Sequence, residues 1–324
     1  MKRQHGAALL AAMLTVTLVA TFAAAALWQQ WRSVEIESAD RQRVQSTWIL
    51  TGALDWARLI LREDRDAADY LAEPWAVPLQ EARLSTFLAA DQSNNAVGEN
   101  GDADQVFLSG DITDLQSRLN LNRLVNAGTL QPKPLEAFRR LFELLSLPQA
   151  ELVRMSENLR FASDLHVDNR STGQAPLMPV RVEQLVWLGL SPETVAALEP
   201  FVTLLPSSTT AVNLNTAPAE VIYAAIPNIS LADAQRLVSE RERKHFRRVQ
   251  DAIALLPPVE PPAPPRDVGL LDVGSHYFEV RGRLRIDDVV IEERSIVQKE
   301  TLLVRTLQRE RGAVEPSGTT EIKR

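Results

Sequence analysis

The hydrophobic pattern changes character once along this chain, from an unbroken apolar run to periodic alternation. From Gly6 to Trp28 the segment GAALLAAMLTVTLVATFAAAALW carries no charge, and Lys2 and Arg3 precede it. As a helix it covers roughly 30 Å, the thickness of a bilayer's hydrocarbon core. Two cations before it and none until Arg32 favour a cytoplasmic N-terminus. Trp28 and Trp31 suit the far interface. A cleaved signal peptide with Ala24-Ala25-Ala26 as its cut site is the competing reading, but that needs a shorter apolar core. Helical periodicity also continues beyond such a cut, because Val44, Trp48, Leu50, Leu54, Ala57, Leu59 and Leu61 recur at three- and four-residue intervals. No proline interrupts the chain from Met1 to Glu73, so the pattern predicts one helix over 7–66, apolar first and amphipathic later. Gly52, inside it, marks a bend or a close contact.

Pro74 and Pro78 end that helix. A first β section over 75–115 follows, with weak alternation in ARLSTFLAA (82–90), a turn-rich loop at 91–104 and a strand at 105–115. Helical spacing then runs over 116–205. It begins with Leu115, Leu119, Leu121, Leu124 and Val125 on one stripe, and it continues to Leu205. PSSTT (206–210) is a linker, and 212–256 reads as helix, hairpin, longer charged helix and short helix. A proline-rich connector (257–265) leads to three alternating runs within 276–310, an antiparallel meander with a turn at Asp287-Asp288. The polar residues 311–324 form a disordered tail in this reading. Strands on both sides of a helical block predict an α+β fold with a large α-helical insertion.

Composition narrows the chemistry. With net charge −7, the chain lacks the basic balance of a nucleic-acid binder. Cysteine is absent, which excludes disulfides and thiolate metal sites. No nucleophile elbow, phosphate-binding glycine loop or zinc spacing occurs. Gly274-Ser275-His276 sets a serine beside a histidine, but neighbours on a strand face opposite ways. No catalytic residue is assigned. Asp102-x-Asp104 and Asp164-x-x-x-Asp168 lie in polar loops without EF-hand spacing, and a solvated loop is the reading for each.

Within 212–256, VNLNTAPAEVI…IPNISLADAQRLVSERERKHFRRVQDAIAL resembles the helix-hairpin-helix of competence-type DNA-binding proteins. That module holds phosphate on the N–H groups of hairpin glycines, and here the hairpin is Pro227-Asn228-Ile229-Ser230, without glycine. The basic run Arg241–Arg248 follows it. A structural helical unit is the preferred reading, and a membrane-anchored DNA binder the alternative.

The MKRQHG leader followed by ALLAAMLTVTLVA, GDITDLQSRLNLNRLV (110–125), FRRLFELL (138–145), VNLNTAPAEVI (212–222) and FEVRGRLRI (278–286) together resemble the type II secretion minor pseudopilin K family, over nearly the whole chain. The resemblance implies a pilin-like fold whose inserted helices form two SAM-like units, 116–205 and 212–256. It implies cleavage by the prepilin peptidase between Gly6 and Ala7, leaving 1–6 as leader, and methylation of the new N-terminus. It also implies inner-membrane insertion with a periplasmic C-terminal domain, a place at the pseudopilus tip, and the minor pseudopilins I and J among other pseudopilins as partners. Neither nucleic acid nor a cofactor is expected. Most pilin-like chains carry glutamate where Ala11 stands, and its absence is characteristic of this family. The family's longer acidic, tyrosine-rich stretch, associated with calcium, is shortened here, which leaves Asp164 and Asp168 as the candidate ligands should a calcium ion bind.

Overall fold

The computed structural model describes residues 5–89, 106–163, 175–258, 266–286, 289–301 and 303–314. Helix α1 runs unbroken from His5 to Glu63. The chain divides into two compact units, Met1–Ala53 and Leu54–Arg324, so this helix belongs to both. A Cβ added at Gly52 would have nothing within 4 Å, so the close contact expected there is absent. The glycine has open space around it.

The second unit contains a five-stranded antiparallel sheet: β1 (Leu79–Arg83), β2 (Val106–Asp114), β3 (Tyr277–Ile286), β4 (Val289–Lys299) and β5 (Val304–Val314), in that spatial order. Strands β2 and β3 are neighbours in space although the whole helical block separates them in sequence, with Asp114 opposite Phe278 and Gly110 opposite Gly282. An added Cβ at Gly110 would lie 2.7 Å from the carbonyl oxygen of Arg281. No side chain fits between those backbones. Along β3, Phe278, Val280 and Leu284 point to one face at the period of two. Phe278 and Val280, with Val297 and Val304, pack against Leu54, Ala57 and Leu61 at the end of α1 and against Trp75. Trp75 meets Phe278 edge-on at 5.1 Å. This apolar face sets the strand register, because a slip by one residue would turn Glu279 and Arg281 toward the helix.

The insertion holds helices α3 (Pro132–Leu144), α4 (Gln149–Ser163), α5 (Pro192–Leu198), α6 (Ala219–Ala225), α7 (Leu231–Arg243) and α8 (Val249–Ile253), after a short α2 (Leu84–Ala89). Phe138, Leu141, Phe142, Met155, Leu185, Leu198, Val221, Ile222 and Leu237 belong to one continuous core. The segments on either side of the PSSTT linker thus share a single interior. Arg140 of α3 reinforces the contact by donating to the carbonyl of Ala224 in α6.

Four expectations are corrected. Residues 84–89, within the alternating ARLSTFLAA run, form helix α2. The stripe from Leu115 to Val125 is not a helix but two 3-10 turns, Leu115–Ser117 and Leu121–Leu124, with Leu119–Asn120 pairing parallel to Val202–Thr203. Asp114 and Asn120 cause this: each side chain accepts from the backbone N–H two residues on, which competes with helix propagation. The helical pattern carried to Leu205 stops at Leu198, since Pro200 has no backbone N–H with which to continue the helical ladder. Finally, β5 continues to Val314, so 311–314 belong to the sheet rather than to a tail. The Asp287-Asp288 turn and the connector residues 259–265 lie outside the described residues.

Candidate functional site

Within α1, the large apolar side chains from Leu9 to Trp31 are all more than half exposed, which no aqueous helix of this composition would leave uncovered. It is long and apolar enough to cross a membrane. Thr15, Thr17 and Thr21 are the polar side chains between Leu9 and Trp28, and each donates its hydroxyl to a carbonyl three or four residues back. The polar groups are satisfied inside the helix, as a hydrocarbon environment requires. Trp28 and Trp31 approach at 5.7 Å at its far end. Gly6 and Ala7 lie in the first turns of the helix, and Ala11 is exposed on it.

In the second unit, the motif segments meet in a buried polar junction. Asp114, at the end of β2, is 2% exposed. Its Oδ1 accepts from the Gln116 N–H (2.7 Å), while Oδ2 accepts from the hydroxyls of Thr216 (2.5 Å) and Ser275 (2.6 Å) and from Asn213 Nδ2 (3.2 Å). Burial pushes its pKa up to about 6 against the hydrogen bonds from Ser275, Thr216 and Gln116. Asn213 also donates to the Asp69 carbonyl and to Ser275 Oγ, and its Oδ1 accepts from Asn215 N–H. Asn215 in turn clasps the backbone of Phe246 through both ends of its amide. Asn120 binds the 205–210 linker in the same way, donating to Ser207 O and accepting from Leu205 N–H. The residues of GDITDLQSRLNLN and VNLNT are therefore fasteners between sheet and insertion, each saturating backbone groups that would otherwise be buried unpaired.

The chemistry weighed in the sequence is accounted for by the same contacts. The Ser275 hydroxyl is buried and engaged with Asp114 while His276 is exposed, so the two are not set together as nucleophile and base. In the hairpin, Asn228 takes φ +58° and Ser230 caps α7 in a reciprocal box with Asp233. The basic run after it is divided. Arg241 is turned inward to the carbonyls of Leu214 and Ala217, and burial lowers its pKa to about 10. His245 stacks on Tyr70 at 3.9 Å, and Phe246 is buried. Arg243, Lys244, Arg247 and Arg248 are left exposed.

Asp164 and Asp168, like Asp102 and Asp104, lie outside the described residues. Another acidic group is in view: carboxylate oxygens of Asp64, Asp66 and Glu73 lie within 4.8 Å of one another, just past the end of α1. Sequence reading missed it because Glu73 stands beside Pro74 and reads as a helix terminus. Beside it, Lys299 bridges Asp64 (2.5 Å) and Asp69 (2.8 Å). Burial works against the lysine charge, but the two carboxylates outweigh it and hold its pKa above the usual value.

Comparison with known proteins converges on one answer. Two family models described as type II secretion system (T2SS), protein K match residues 117–207 and 212–268, meeting at the linker that separates the two helical segments. The chain is 28% identical to type II secretion system protein K of Aeromonas hydrophila over 247 residues, which is 64% of this chain and 74% of that one. Over 96% of its length it is 24% identical to protein K of Pectobacterium carotovorum subsp. carotovorum and 25% identical to that of Klebsiella pneumoniae, covering 97% of each. The chain belongs to the type II secretion system protein K family. It is a minor pseudopilin, a structural component of the secretion system. A chain in the crystal structure of the GspK-GspI-GspJ complex from enterotoxigenic Escherichia coli has the same fold, with TM-score 0.63 at 20% identity, over 85% of this chain and 98% of that one. The long apolar helix, the small sheet and the inserted helical block are the pseudopilin architecture expected from the sequence.

Proposed function

We propose that this minor pseudopilin stands at the tip of the type II secretion pseudopilus and initiates or caps its assembly. The observation that carries the reading is Ala11, exposed on an apolar helix where most pilin-like chains place a glutamate. A glutamate at this depth requires the N-terminal ammonium of a subunit already in the fibre, since an unpaired charge in a membrane costs about 2.5–3.5 kcal/mol on insertion scales. A subunit with alanine carries no such demand, so it can begin a fibre. Equally, nothing on its helix draws it beneath an existing subunit. The inserted helical block supports the same placement, because a repeating fibre subunit would have to accommodate that volume at every step.

In this reading the prepilin peptidase cuts between Gly6 and Ala7 and the new N-terminus is methylated. The helix crosses the inner membrane once, N-terminus in the cytoplasm and folded unit in the periplasm. Its partners are the minor pseudopilins I and J, as the composition of the solved complex of its Escherichia coli relative supports. Catalysis has no place in it, and neither has DNA, since Arg241 and His245 are committed to the interior. Labelling the protein in assembled pseudopili tests the proposal: signal confined to one end is expected, and decoration along the whole length would overturn it.

A further inference from the structure

The carboxylate group past the end of α1 is electrostatically incomplete. Glu73 is only 3% exposed. Its Oε2 accepts from the Tyr70 N–H (3.0 Å) and from Trp75 Nε1 (2.6 Å), while its Oε1 is buried with no partner at all. A buried acceptor left unpaired costs roughly 1–3 kcal/mol, more when charged. Asp64 and Asp66 bring their own carboxylates to within 4.8 Å of it. Asp64 Oδ1 accepts from Asp66 N–H (3.2 Å), which holds the two side by side. Among the described residues, Lys299, bonded to Asp64 and Asp69, is the one ammonium joined to these four acidic groups. With all four ionised, three negative charges would stand in excess of the lysine. They lie at the C-terminal end of a helix, where the aligned peptide dipoles are already negative and cations are favoured.

We propose that Asp64, Asp66 and Glu73 bind a divalent cation of the calcium class, the unpartnered Oε1 of Glu73 supplying its buried ligand. Three carboxylates on an irregular segment suit calcium, which takes about 6–8 oxygen ligands in flexible geometry, better than magnesium, which keeps most of its waters and usually binds through one or two carboxylates. Asp66 is exposed, which leaves a route for the ion to enter and room for water in the remaining coordination positions. Burial, which pushes Glu73 up to about 7, is the cost the cation would relieve. The site lies far along the chain from Asp164 and Asp168, and it would tie the end of α1 to the segment leading into β1.

The test uses the full-length protein in detergent, stripped with chelator and titrated with CaCl2 by calorimetry, with thermal unfolding followed in parallel. Binding at or below the millimolar range, as for extracellular calcium modules, and a rise in Tm on saturation are expected. Asp66→Asn, at an exposed position, should weaken binding at least about tenfold through its lost charge. Glu73→Gln should abolish the calcium-dependent rise. The double variant Asp164→Asn/Asp168→Asn should keep it. Absence of calcium binding, or a calcium response unchanged in Asp66→Asn, would overturn the proposal. So would magnesium binding as tight as calcium, or a Glu73→Gln variant that is more stable than wild type without calcium while wild type ignores the ion, because Glu73 would then be a neutral acid.

Discussion

Asn213 donates its side-chain amide to Asp114 across 3.2 Å, joining residues 99 positions apart at the point where the sheet meets the insertion. Neither residue touches solvent appreciably: Asn213 is 0% exposed and Asp114 2%. The pair lets one domain be interrupted by another block of chain without losing a defined junction, since each polar group has a single set of partners it can satisfy.

Removing either partner strands the other. Asn213→Ala leaves Asp114 Oδ2, Ser275 and the Asp69 carbonyl each short of one hydrogen bond. The expected loss is about 2–4 kcal/mol, from one buried unsatisfied group plus the cavity. Denaturant unfolding of the full chain in detergent measures it, and a loss below about 0.5 kcal/mol, the level of an ordinary surface change, would contradict the fastening role.

Asp114 also has a pH signature with a definite sign. Its carboxyl titrates near 6 in the folded protein and near 3.8 unfolded, so between these values the folded state holds more protons. This group's contribution is present below pH 4 and is lost as pH rises through 6, by up to about 3 kcal/mol. Comparing stability against pH for wild type and Asp114→Asn isolates it: the variant should be less stable overall yet lack this part of the slope.

Gly110 should not tolerate a side chain. Gly110→Ala places Cβ against the backbone of Arg281, where neither atom can rotate away, and forces β2 from β3 at a cost of about 1–3 kcal/mol or more. Gly312→Ala, on β5 with nothing within 4 Å, is the control and should change stability by less than about 0.5 kcal/mol. Thermal unfolding of the two side by side decides.

Processing is tested at the leader. Gly6→Leu should leave the precursor uncut, with an intact mass that retains residues 1–6, while the wild type begins at Ala7. A wild-type N-terminus near residue 27, with the protein free of the membrane, would instead identify a signal peptide.

DNA binding offers a last discriminating measurement. Arg243, Lys244, Arg247 and Arg248 are the exposed cations of the basic run, and the hairpin lacks glycine. Duplex binding at physiological salt should be weaker than micromolar. Tighter binding that Arg247→Ala/Arg248→Ala removes would favour the helix-hairpin-helix reading.

What the sequence determined by itself was everything carried by local periodicity. An uncharged run from Gly6 to Trp28 has one low-energy form in a membrane, and alternation such as FEVRGRLRI has one economical use, a strand with an apolar face. The flanking of helices by strands was likewise readable. What only the tertiary structure decided depends on partners distant in the chain. Leu115, Leu119, Leu121 and Leu124 have helical spacing, yet Asp114 and Asn120 spend their side chains on nearby N–H groups and on the 205–216 and Ser275 segments, so the backbone takes 3-10 turns and a short parallel pairing. The register of β2 on β3 was invisible for the same reason: strands on both sides of the insertion predict one sheet, but no local signal says that Asp114 faces Phe278 or that Gly110 faces Gly282. Glu73 read as a polar residue before a proline, and only folding buried it beside Asp64 and Asp66, because burial is a property of what packs around a residue rather than of the residue itself.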